Sequence, residues 1–166
     1  MDVWAYILDD GVTVAATMDI NSVPQGVETT KFTVQNLSKT NFKVQNGEIV
    51  IDEDLAIVKA RANKIPQLAI SCGQAITAGF NSGNCRYGSQ TTDQLNIHTA
   101  AKYGGSLWTL DSSNNWNFVD YTPEQAQQIE QDLSSSVMAL QTKYANLVSQ
   151  VKASSNIQFI ESIVWS

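Results

Sequence analysis

The chain has 166 residues, the length of one domain or of one domain with a smaller appendage, which excludes a large multidomain enzyme. A net charge of −6, a pI near 4.6 and the lack of any run of basic residues argue against a phosphate-tracking groove for DNA or RNA and against adhesion to anionic membranes. Only 16% of residues are charged, against a usual quarter, and 56 amide and hydroxyl side chains outnumber the 26 charged ones.

From the N-terminus, Met1–Asp10 has neither the basic start nor the apolar stretch of a signal peptide, so secretion by that route is not expected. Val3, Ala5 and Ile7 alternate with Trp4, Tyr6 and Leu8, and Asp10-Gly11 turns the chain into a second strand from Val12. Residues 18 to 30 lack periodicity and read as a loop. Short strands are predicted at Lys31–Val34, at Phe42–Val44 and at Glu48–Ile51. Asn46-Gly47 between the last two has the residue types that a type I′ hairpin turn demands. The first 51 residues thus read as a small antiparallel β domain.

At Asp52 the apolar period changes from two to about three and a half. Asp52 caps a helix whose first turn holds Glu53 and Asp54, and this solvated helix start explains the three carboxylates without a metal. Leu55, Val58, Ala62, Ile65, Ala69, Cys72 and Ile76 form a heptad stripe. Pro66 interrupts it, so a kink or two helices in series are expected. Ile65–Cys85 is free of charge, but Pro66, Gln67, Ser71, Gln74, Thr77 and Asn81 make it too polar to span a bilayer. Phe80–Ser89 reads as a loop with an extended piece at Cys85–Tyr87. Thr91-Thr-Asp-Gln94 fits a capping box for a helix over 92–103, ended by Gly104-Gly105.

Leu107–Leu110 and Trp116–Val119 flank Asp111–Asn115 as a further hairpin. Thr122, Pro123 and Gln125 then supply a cap, a first-turn proline and a capping-box amide. The helix that follows runs to Lys152, about 45 Å at 1.5 Å per residue. Its stripe is Ala126, Ile129, Leu133, Val137, Leu140, Tyr144, Leu147 and Val151. Ser155–Gln158 repeats the capping logic for a last helix over Ile157–Val164.

The predicted class is α+β. A small antiparallel β unit at residues 1–51 precedes a long-helix hairpin at 52–166, with a short helix and a β-hairpin inserted between the two helices. Two helices alone bury little, so the stripes call for a third surface, either the β unit or another chain. Leu133, Val137, Leu140, Tyr144, Leu147 and Val151 are therefore candidate partner-binding residues.

Chemistry has few footholds. Two cysteines, Cys72 and Cys85, are expected as reduced thiols, since Cys72 falls in register with the helical stripe. His98 is the lone histidine, and no CxxC or HxxxH spacing marks a metal site. Asp93 and His98 fall on different faces of their helix, and no nucleophile elbow, Walker or HExxH pattern occurs. No catalytic residue, metal or cofactor is assigned, and enzyme activity is not expected. Trp108, Trp116 and Tyr121 form a candidate ligand-binding set, because aromatic faces beside amides and carboxylates suit a sugar. The competing assignment makes the aromatic hairpin a cover over the helices, and it is the preferred one.

Several motifs in order carry a resemblance. They are Cys72-Gly-Gln-Ala-Ile76, Gly79-Phe80-Asn-Ser82, Tyr87, Thr92-Asp93-Gln94-Leu-Asn96-Ile97, the Leu107-Trp108 to Trp116 hairpin, Thr122–Gln125, and Ile160-Glu-Ser-Ile163-Val164-Trp165. Over roughly residues 55–165 the chain resembles a domain of unknown function found in bacteriophage tail-fibre and tail-fibre-assembly proteins. The Asn46–Asp52 segment resembles the front end of the same small phage proteins. The resemblance implies a virion or assembly role: a tail structural protein or chaperone, made in the host cytoplasm, that binds or caps a tail-fibre or baseplate trimer. It brings no catalytic residues. The alternative is a receptor- or carbohydrate-binding module displayed on the tail.

Overall fold

The computed structural model describes residues 1–166, apart from the side chain of Lys39. The chain is α+β and divides into two compact units: Met1–Ala62 with Ser155–Ile160, and Asn63–Ser154 with Glu161–Ser166.

In the first unit, β1 (Asp2–Ile7) is the centre of a three-stranded antiparallel sheet between β2 (Val14–Thr17) and β3 (Thr30–Thr33). Val3 and Ala5 point inward from β1 and are fully buried, as the period of two requires. Asp10 shapes the β1–β2 turn by accepting from the backbone of Val12 and Thr13 at 3.0 and 2.8 Å. β4 (Phe42–Gln45) and β5 (Glu48–Ile51) form the second hairpin, and the Phe32 and Phe42 rings lie 5.0 Å apart. Its turn residues Asn46 and Gly47 have φ of +54° and +82°, the two left-handed positions of a type I′ turn.

α1 (Glu53–Thr77) starts where Asp52 Oδ1 accepts from Leu55 N at 3.2 Å. Contrary to the expected kink or two helices in series, it is one helix with Pro66 inside it. Ala62, whose carbonyl loses its intrahelical donor at Pro66, is exposed, as is the proline itself, so water can take the missing partner's place. The predicted stripe is covered only in part, with Cys72 buried and Ile65 and Ile76 half-buried. Leu68 and Cys72 are the buried residues of α1, whereas Leu55, Val58 and Ala69 of the stripe face solvent.

The second unit carries a four-stranded antiparallel sheet in the order β6 (Phe80–Ser82), β7 (Cys85–Tyr87), β8 (Gly105–Leu110), β9 (Trp116–Tyr121). β6 and β7 pair as a short hairpin where a loop was predicted for all but Cys85–Tyr87. α2 (Thr91–Tyr103) is inserted between β7 and β8. Its cap lies one residue earlier than predicted, with Gln90 N donating to Asp93 Oδ2 at 3.0 Å. α3 (Pro123–Ala153) begins on the predicted Thr122–Gln125 capping box. α4 (Ile157–Ser162) ends before the predicted Val164, and its cap is Asn156, whose Oδ1 accepts from Phe159 N.

The long-helix hairpin is not how these elements pack. α3 lies along α2 and against β6, not along α1. The two long helices meet at Cys72, whose Sγ is 3.8 Å from Leu140 O. Small Ala100 and Ala101 let α2 approach Ala126, Ile129 and Leu133 closely. With Phe80, Tyr87, Ile97 and Leu107 these residues close the core of the unit. Each large side chain so buried is worth about 1.5–3 kcal/mol. The N-terminal half of the α3 stripe is thereby satisfied within the unit.

Candidate functional site

The β8–β9 hairpin builds the candidate site. Its turn is fixed by Asp111, whose Oδ1 accepts from Ser113 N and Asn115 N at 2.9 Å each, with Asn114 in the left-handed region at φ +62°. Across the hairpin Trp108 pairs with Phe118, Leu110 with Trp116 and Ser106 with Asp120. Leu107 and Thr109 occupy the opposite face and are buried. The pleat therefore sends Trp108, Trp116 and Phe118 outward, where they are 53%, 49% and 64% exposed. This corrects the expectation that they cover the helices: inward Leu107 and Thr109 do that, leaving the large rings for solvent.

The three rings form a cluster. Trp108 lies 6.5 Å from Trp116 in an edge-to-face arrangement and 4.8 Å from Phe118. Beside them, Gly88 and Asp93 complete a cleft of about 390 Å³ lined by Trp108 and Trp116. A smaller recess of about 40 Å³ adjoins it, where Asn96, Ser106 and Phe118 join the lining. Gly88 is needed here: a Cβ on it would lie 2.4 Å from Asp93 Oδ2. Asp93 is held by its bond from Gln90 N, and among the described residues its Oδ1 accepts no hydrogen bond.

Tyr121 is not in this cleft. Its hydroxyl bonds those of Tyr87 at 2.9 Å and Thr109 at 3.1 Å on the inner side of the sheet. Burial raises the Tyr87 hydroxyl above the ordinary tyrosine range, and the Tyr121 bond adds to the shift. The sequence reading leaves Gly88 in the Phe80–Ser89 loop and Asp93 inside the Thr91–Gln94 segment, and nothing in it ties either residue to Trp108 and Trp116.

The candidate partner stripe of α3 divides into two groups. Leu133 and Val151 are buried, and Val137 packs against the core that Leu133 belongs to. Leu140, Tyr144 and Leu147 are half-buried, and neighbouring Met138 is exposed. On α1, Val58 and Ile70 are also exposed.

The remaining reactive groups have structural partners. His98 Nδ1 lies 2.6 Å from Glu130 Oε1, a pairing between α2 and α3 that sequence spacing does not reveal. Cys72 and Cys85 are both free thiols, the first buried and the second half-buried. Asp52 accepts from Leu55 and pairs with Lys43 at 3.2 Å, the part of a helix cap. Among the described residues no group of three or more His, Cys, Asp or Glu is gathered as a metal site, and no helix is long and apolar enough to cross a membrane.

Residues 59–163, more than half of the chain, match the family model described as a domain of unknown function (DUF4376). No curated protein and no solved structure matches the chain.

Proposed function

The chain belongs to the DUF4376 family, and we propose that it is a non-enzymatic bacteriophage tail protein that binds or caps a tail-fibre or baseplate trimer. The support from sequence is the resemblance that an ordered set of motifs, from Cys72–Ile76 to Ile160–Trp165, bears to tail-fibre and tail-fibre-assembly proteins. The observation that carries the reading is the α3 stripe, where Leu140, Tyr144 and Leu147 remain only half covered by their own chain. Half-buried apolar side chains flanked by neutral Gln141 and Gln150 can be covered by a partner at a lower desolvation cost than charged ones. Its place is the virion tail, after synthesis in the host cytoplasm.

Co-expression with the tail-fibre protein of the same phage, followed by size-exclusion chromatography with mass measurement, tests this. A complex of defined stoichiometry is expected, and Leu140→Glu with Leu147→Glu should dissolve it. Elution of a lone monomer, with fibre folding unchanged by its presence, overturns the reading.

A second reading has its own observation in its favour. The outward Trp108, Trp116 and Phe118 support a receptor- or carbohydrate-binding module on the tail. Exchanging both tryptophans separates the two. Intact particles that no longer adsorb to the host favour receptor binding, whereas particles without fibres favour assembly.

A further inference from the structure

We infer that the cleft between Trp108, Trp116, Gly88 and Asp93 binds a neutral pyranose, with an apolar sugar face on the indoles and a hydroxyl donating to Asp93 Oδ1. The inference rests on the second reading above and names the ligand class and the residues that select it.

The site combines two demands that a sugar makes together. A pyranose presents a ring face of C–H groups and a rim of hydroxyls, so it needs an apolar plate and a fixed acceptor at its edge. Trp108 and Trp116 supply the plate, both about half exposed and set edge to face so that the pair forms a corner. Asp93 supplies the acceptor. Its carboxylate is positioned by Gln90 N at 3.0 Å through Oδ2, which leaves Oδ1 available. The space exists because residue 88 has no side chain. At about 390 Å³ the cleft falls within the range of small-molecule sites. The Asn96 amide in the adjoining recess offers both a donor and an acceptor for a second hydroxyl.

Charge decides among ligand classes. Acidic sugars face Asp93 and, across the same face of the hairpin, Asp120, with no basic side chain among the described residues lining the cleft. Arg86 is turned away to Ala78 O at 2.7 Å. A cation would find a carboxylate, but one already compensated: Asp93 sits in the first turn of α2, where the helix dipole favours negative charge, and it receives a backbone N–H. A neutral hydroxyl donor uses the free lone pairs without requiring the cap to give up its charge balance.

The test titrates the full chain with methyl glucoside, methyl galactoside, methyl mannoside and N-acetylglucosamine, with glucuronate and choline as charged probes. Saturation-transfer NMR and tryptophan fluorescence report binding. Trp4 and Trp165 contribute background fluorescence, so the change should survive Trp4→Phe and Trp165→Phe. At least one neutral sugar is expected to bind and the charged probes are not. Trp108→Ala and Asp93→Asn should each weaken binding by roughly tenfold. Gly88→Ala, whose backbone angles an alanine can adopt, should do the same by displacing the carboxylate. A cooperative urea unfolding transition confirms that each variant is folded.

If neutral sugars bind but Trp108→Ala and Asp93→Asn leave the affinity unchanged, the cleft assignment is wrong and glycan binding lies elsewhere. If glucuronate or choline binds more tightly than every neutral sugar, the ligand class is wrong. If no sugar binds, this inference and the carbohydrate reading on which it rests both fail.

Discussion

Single residues decide where the candidate site is. Counting by twos along β9 from Trp116 already separates Tyr121 from Trp116 and Phe118, so its inward position is legible once the strand is known to continue to residue 121. The partners it finds there, Tyr87 and Thr109, come from two other strands and are set by pairing that local sequence does not encode. Removing the Tyr87 hydroxyl leaves Tyr121 its bond to Thr109, so Tyr87→Phe should cost about 1 kcal/mol in urea unfolding. Because burial raises the Tyr87 hydroxyl in the folded state, the unfolded chain loses that proton first as pH climbs. Its stabilising contribution is full below about pH 10 and fades above it. An ultraviolet titration should accordingly find the Tyr87 proton retained in the folded wild type at a pH where the denatured chain has lost it. Asn46-Gly47 is the opposite case, a turn fully legible because two residues with positive φ leave few other choices.

At the scale of elements, starts are more legible than partners. The Thr122–Gln125 box predicts the first residue of α3, since the cap is a local exchange of hydrogen bonds. Thr122→Ala should destabilise the chain by about 1 kcal/mol, measured by the urea midpoint. Ile129→Ala, deep in the core that α3 shares with α2, should cost about 2–5 kcal/mol by the same measurement. If both lose the same amount, α2 is not the support of α3. What the stripes do not reveal is which surface receives them. Two heptad patterns suggest mutual pairing, yet Ala100 and Ala101 bring α2 closer, and no count of apolar spacings on α3 contains that information. On α1 the same limitation leaves the buried face only partly placed, because alanines such as Ala62 and Ala69 satisfy a stripe on paper whether or not anything packs on them. Leu68 lies outside the counted stripe and is buried, while Val58 lies inside it and is 56% exposed.

For the whole molecule the sparse charge has a defined part. Asp2 is held below the ordinary carboxylate range first by its hydrogen bond with Lys31, Asp10 by that with Thr13, and Asp52 by the Leu55 amide. Each is depressed in the folded state, so its contribution is complete above about pH 4 and disappears as pH falls through the folded value. The urea midpoint should decline in acid, and the gap between wild type and Asp10→Asn should close as it does. A gap that stays constant to low pH would show that the carboxylate's charge is not what the turn uses. With Tyr87 acting at the alkaline end, stability should form a plateau bounded by these groups. The outward hairpin has a further consequence for how the whole chain absorbs polarised light. Trp108 and Trp116 are identical chromophores with ring centres 6.5 Å apart and planes 75° from parallel, close and skewed enough for their transitions to mix. Their coupled bands add to the far-ultraviolet circular dichroism, so helix content read from that spectrum will be biased by two side chains that belong to no helix.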